Sequence, residues 1–174
     1  MNDATLIQRI RETAILHGDF TLRSGRKSMY YLDKYKIETQ PEILQALGQR
    51  FANFVDDKVD RLAGAELGGI PLVTVTALAT GRRIVFIRNQ KKSYGTARQL
   101  EGSLTVGDRV LLLEDVATTG GQVLEAAKVS EQAGAKVVGI IAAIDRQEGA
   151  RENIEAAGYR FEALLTKRDL GIED

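Results

Sequence analysis

The chain has no cysteine, which excludes disulfides and thiolate metal sites. That absence fits a reducing compartment, and a cytoplasmic location is the expectation. The single histidine, His17, has no serine or cysteine partner pattern around it, so no protein nucleophile is expected. His17 is expected to close the first helix in a structural role. The 24 basic side chains match the 24 acidic ones, so no global field draws the chain to nucleic acid or to an acidic membrane. Any anion site must therefore be local. No apolar run approaches the ~20 residues of a membrane span. The opening MNDATLIQRIRET carries acids and no long apolar run, so it is not expected to be a secretory signal. Internal repeats and low-complexity tracts are also missing.

What is present is ordinary for a globular chain: 174 residues, 44% hydrophobic and 28% charged. That length suggests one domain with a small appended element. At this size roughly two-thirds of the unfolded surface can be buried.

Apolar residues Leu6, Ile7, Ile10, Ala14 and Ile15 predict a helix over 4–16, capped by Asn2 or Asp3 and ended by Gly18. Extended pieces at 19–23 and 29–32 flank Ser24-Gly25-Arg26-Lys27 and read as a hairpin-like pair. Pro41 opens a helix to about Val55. Then strand, loop and helix alternate. Strands are predicted at 59–63, 83–87, 110–113, 137–144 and 161–165, with helices at 71–80, 122–133 and 151–157. Apolar runs without alternation, separated by helices, predict an α/β fold with a central parallel sheet covered on both faces. About twenty residues between Ile87 and Arg109 have no clear periodicity. They carry Arg88, Lys91, Lys92 and Arg98 with Gly95, Gly102 and Gly107, and read as a basic, glycine-hinged lid.

The most informative stretch runs Val110-Leu-Leu-Leu-Glu114-Asp115-Val116-Ala117-Thr118-Thr119-Gly120-Gly121. A buried strand delivers two carboxylates at its C-terminal end, the edge where open α/β sheets bind ligands. A turn of hydroxyls and glycines follows, then a helix start at Gln122. Converging amides and the positive helix end suit a phosphate monoester. The carboxylates suit hydroxyl groups or a hydrated divalent cation. A ribose 5-phosphate has those parts in that order. The plain alternative is a capped helix after an ordinary turn. The loop is neither a P-loop nor a dinucleotide fingerprint, because no lysine follows the glycines and no Gly-x-Gly-x-x-Gly follows a strand.

This stretch resembles the phosphoribosyl pyrophosphate signature of the type I phosphoribosyltransferases. Four further segments resemble orotate phosphoribosyltransferases. They are the run from Phe20 through Lys27, Tyr30 and Tyr31 to Asp33; Gly64 to Pro71; Arg88 to Gly95; and Ile144-Asp145-Arg146-Gln147-Glu148-Gly149. The resemblance implies a type I phosphoribosyltransferase fold. A small hood, mainly 1–40 plus the C-terminal segment, would sit on a core of about 41–160, with a mobile lid at about 88–108.

It also implies roles for particular residues. Arg88, Lys92 and Asp115 would be catalytic. Phosphoribosyl pyrophosphate would meet Lys27, Arg88, Lys91, Lys92 and Tyr94, then Glu114, Asp115, Val116, Ala117, Thr118, Thr119, Gly120, Gly121 and Gln122. Residues 64–71 would bind its pyrophosphate. Orotate would meet Lys27, Tyr30, Tyr31, Thr118 and Arg146. Mg²⁺ would bind through substrate and water near Glu114 and Asp115, with no direct protein side chain. A homodimer sharing its lid between subunits would follow, with neither nucleic acid nor membrane as partner. Tyr94 stands where the family often has histidine, and Asn89 where it often has lysine. Arg146 has its own physical case, since arginine grips a carboxylate through two parallel bonds and orotate differs from uracil by a carboxylate. A surface ion pair with Asp145 or Glu148 is the competing reading. Two other functions stay open at this point: a purine, uracil or xanthine phosphoribosyltransferase, and a nucleic-acid-binding regulator on the same fold.

Overall fold

The structure is a computed structural model that describes residues 1–21, 25, 27–90 and 99–172. Helix α1 spans Asp3–Ala14, and the Asn2 side chain accepts from the Thr5 amide at 2.9 Å, the expected cap. Strands β1 (Ile15–Thr21) and β2 (Lys27–Leu32) form an antiparallel pair. The expected helix therefore stops early. Ile15 leaves the helical region at φ −90°, ψ 112° and pairs with Leu32. Pairing a β-branched residue across a sheet outweighs one more turn of helix. His17 is consequently a strand residue opposite Tyr30, not a helix cap, and Gly18 sits at a register irregularity at φ 152°.

Helix α2 (Lys34–Glu38) follows, then α3 (Pro41–Ala52). The remaining elements are β3 (Arg61–Ala65), α4 (Gly69–Thr80), β4 (Arg83–Ile87), β5 (Leu100–Glu101), β6 (Arg109–Ala117), α5 (Gly121–Gln132), β7 (Lys136–Asp145), α6 (Ala150–Ala156) and β8 (Phe161–Thr166). The main sheet runs β5-β4-β3-β6-β7-β8, parallel except for β5. The fold class expected from the sequence is the one observed. Two elements were not expected. α2 is too short to show a period, and β5 lies within the stretch that looked irregular.

The central strand β6 alternates over Val110–Leu113. Leu111 and Leu113 pack with α1, α3 and the C-terminal residues Leu170 and Ile172. Val110 and Leu112 pack with Val123, Ala126 and Ala127 of α5. Period-two geometry sends each next side chain to the other layer. The phase is lost by the strand's end, where Val116 joins the first layer and Ala117 the second.

Gly64 lets β3 pass the start of α4, because a Cβ there would fall on the Gly69 carbonyl oxygen. Gly64→Ala should destabilise the protein by about 1–3 kcal/mol through overpacking, measured by urea unfolding.

Candidate active site

At the C-terminal edge of the sheet lies a cavity of about 1030 Å³. Glu114 and all of residues 116–122 line it, with Tyr31, Arg146, Glu148 and Thr21. Gly120 takes φ 79° and caps α5 there, and its bare Cα packs on Ile154. Only glycine adopts that conformation without cost. The turn carbonyl of Thr119 is held by the Asn153 side chain at 2.9 Å. Amides of the turn and the first turn of α5 thus open into the cavity with the positive helix end behind them.

Three loops meet at Gln122. Its side-chain amide donates to the Glu66 carbonyl at 3.1 Å and to Asn89 Oδ1 at 3.3 Å. The Asn89 amide donates to Glu66 Oε1 at 2.7 Å. So the start of α5, the 64–71 loop and the root of the 88–95 segment are tied together. Arg88 lies at that root, where its amide donates to the Gln99 carbonyl at 2.8 Å. Its guanidinium is 3.9 Å from Glu101, and its Nε is buried without a hydrogen-bond partner among the described residues. A buried donor left unpaired is costly, which suits a cation awaiting an anion. Lys91, Lys92 and Tyr94 lie outside the described residues.

The two acids of the motif touch through their side chains but border different spaces. Glu114, 7% exposed, faces the α5 side and lines the cavity. Asp115, 4% exposed, faces the other layer and does not line it. Its Oδ2 meets Lys34 Nζ at 2.6 Å and packs on the Cα of Gly68 in the 64–71 loop. Burial raises the Glu114 pKa, and the adjacent Asp115 charge raises it further. Glu38, 7% exposed on α2, is raised to about 8, first by burial and then by Asp115. As a carboxylate, Glu38 Oε1 would be buried with no partner; protonated, Glu38 can donate to Asp115. Burial opposes the Lys34 ammonium, but Asp115 outweighs it and leaves that pKa raised.

On the hood side, Tyr31 lines the cavity and stacks obliquely with Phe20 at 5.6 Å. Tyr30 faces away from Tyr31, and its hydroxyl accepts from Arg146 at 3.3 Å. Arg146 also pairs with Glu148 at 2.8 Å, so the ion pair weighed from the sequence exists inside the cavity wall. Lys27 is not brought to the cavity; its ammonium donates to Thr21 Oγ1 at 2.8 Å. Thr21, Lys34 and Glu38 carry no signal in the sequence, since their positions follow from tertiary packing. The opposed directions of Glu114 and Asp115 could have been read from strand alternation.

A phosphoribosyl transferase domain model matches residues 35–158. Orotate phosphoribosyltransferase of Pyrococcus furiosus is 41% identical over 98% of this chain and 95% of its own. That of Natronomonas pharaonis is 43% identical over 98% of both. The chain belongs to the orotate phosphoribosyltransferase family. Among solved structures, the orotate phosphoribosyltransferase of Mycobacterium tuberculosis superposes with a TM-score of 0.87 at 34% identity, covering 97% of this chain and 98% of that one. The same enzyme solved with 5-phospho-α-D-ribosyl 1-diphosphate superposes at 0.81 and 31% identity, over 97% and 98% of the two chains. An adenine phosphoribosyltransferase from Thermoanaerobacter pseudethanolicus shares the fold at 19% identity. Among the described residues, no helix is long and apolar enough to cross a membrane.

The raised Glu38 pKa has a consequence for stability. The folded state holds a proton that the unfolded chain releases above pH 4.5, so stability falls as pH rises from there toward about 8. Glu38→Gln should flatten that part of the profile, followed by thermal unfolding across the range.

Proposed function

We propose that the chain transfers the 5-phosphoribosyl group from phosphoribosyl pyrophosphate to orotate, giving orotidine 5′-monophosphate and pyrophosphate in pyrimidine synthesis. The observation that carries this reading is the single cavity wall holding the 118–121 turn, Glu114 and Arg146 together. The turn receives the 5-phosphate, Glu114 a ribose hydroxyl, and Arg146 the orotate carboxylate. Thr118 and Tyr31 flank the space between them. Tyr30 steadies the Arg146 guanidinium from behind. Lys27 would reach the donor from the cavity rim on leaving Thr21.

In the reaction the C1′–O bond breaks and a bond from the orotate ring nitrogen to C1′ forms. Positive charge develops on the sugar ring and negative charge on departing pyrophosphate. Arg88 and Lys92 neutralise the leaving group, with Lys91 and Tyr94 as further donors to its oxygens. Asp115 fixes the strand end that carries Glu114 and the loop that faces the pyrophosphate. Closure over the site excludes the water that would otherwise hydrolyse the sugar cation. Among the described residues no three acidic or histidine side chains form a metal cage. The acid pair still fits Mg²⁺, because the nearby cation Lys34 pairs directly with Asp115 and only partly offsets Glu114, whose pKa stays raised. Mg²⁺ keeps most of its water and binds through few carboxylates plus substrate oxygens. When bound it would offset charge on the pyrophosphate, held through water and substrate oxygens near Glu114 and Asp115. A homodimer sharing its lid belongs to the same reading.

Orotate should lose its ultraviolet absorbance when phosphoribosyl pyrophosphate and Mg²⁺ are added, while uracil, adenine and hypoxanthine should not react. Preferred use of uracil would overturn the base assignment. Arg146→Gln should raise the orotate KM about 10- to 100-fold, the cost of losing a charge-assisted pair, with the donor KM little changed. Lys92→Ala should lower turnover by about 3–4 kcal/mol of transition-state stabilisation without altering the unfolding midpoint. Full activity in that variant would remove the role given to Lys92.

A further inference from the structure

We propose that Lys34 and Glu38 are positioning residues for donor binding: from behind the site they clamp Asp115 onto Gly68, joining the strand that carries Glu114 to the loop that receives pyrophosphate. The inference deepens the function proposed above and rests on it.

Both residues belong to α2, a five-residue helix outside the large cavity. They converge on one carboxylate. Lys34 Nζ sits 2.6 Å from Asp115 Oδ2, and Glu38 borders the same small void beneath β6. Any Cβ on Gly68 would land on both Asp115 Oδ2 and Glu38 Oε1. The 64–71 loop is therefore pressed against the acid cluster with no room to spare. Its next contacts run outward, from the Glu66 carbonyl to Gln122 and from Glu66 Oε1 to Asn89. One buried knot thus joins the hood side, the end of β6 and the donor loop.

Asp115 is the group that needs the clamp. A buried carboxylate next to a second one, Glu114, is held in place only by a cation and hydrogen-bond donors. The charged or titratable groups facing it are Lys34 and Glu38 from α2 and Glu114 from its own strand. Without Lys34, Asp115 would turn toward water or toward the donor's phosphates and repel them. Orotate lies at the other end of the cavity, against Arg146 and Tyr31, and does not depend on this knot. The signature is therefore one-sided: donor binding suffers and base binding does not.

The test uses the full chain with Mg²⁺. Donor affinity is read by calorimetry without base, and both KM values by steady-state assay. Lys34→Met should raise the donor Kd and KM about 10- to 100-fold, as loss of a buried charge partner does, with the orotate KM unchanged. Lys34→Arg, which keeps the charge, should recover most of the loss. If Lys34→Met does not fold, Glu38→Asp takes its place, since it withdraws the carboxyl from Asp115 and leaves the ion pair intact; the same one-sided donor effect is expected. Unchanged donor binding in a folded variant overturns the proposal. An equal rise in both KM values, or failure of both variants to fold, overturns it as well, because the cluster is then only structural. A wild-type chain that binds donor but ignores orotate would sink the functional reading instead.

Discussion

Two carboxylates in successive positions of a buried strand cannot share one environment. Alternation puts Glu114 against the α5 layer and Asp115 against the α2–α4 layer, and both are nearly closed to solvent. Each charge then needs its own compensation. Asp115 receives it from within the chain, through Lys34 and a proton-bearing Glu38. Glu114 feels the same Lys34 charge more weakly, and burial and Asp115 keep its pKa raised. One acid is thus tied into the scaffold through Lys34, and the other lines the cavity.

The same division runs through the basic groups. Net charge is zero, and the positive groups are local: the start of α5 and Arg146 line one cavity, and Arg88 sits where the 88–95 segment begins. Gln122 ties the start of α5 to Glu66 and Asn89. Electrostatic stabilisation in a water-poor site is usually the largest catalytic contribution, and this layout is suited to it.

Much of this was legible in the sequence where local and global signals agree. The unalternating runs at 83–87, 110–113 and 137–144 state a doubly covered parallel sheet, and the Thr-Thr-Gly-Gly turn after the second of them marks the cavity at its C-terminal edge. Elsewhere the signals conflict or are silent. Ile15 extends the helical period of α1, but pairing with Leu32 decides its conformation. The five residues of α2 are too few to show a face, so the cation and the acid that steady Asp115 were invisible. The two motif acids look like a single grip in one dimension; in the fold they stay in side-chain contact, but only Glu114 lines the large cavity. Lys27 sits in the expected hood segment, yet it rests on Thr21, a contact set by the β1–β2 register.

Arg146 reaches the cavity already holding a carboxylate, that of Glu148 at 2.8 Å. On the function proposed above, an orotate carboxylate at Arg146 would take the place of the Glu148 carboxylate, and a neutral pyrimidine would bring no charge to replace it.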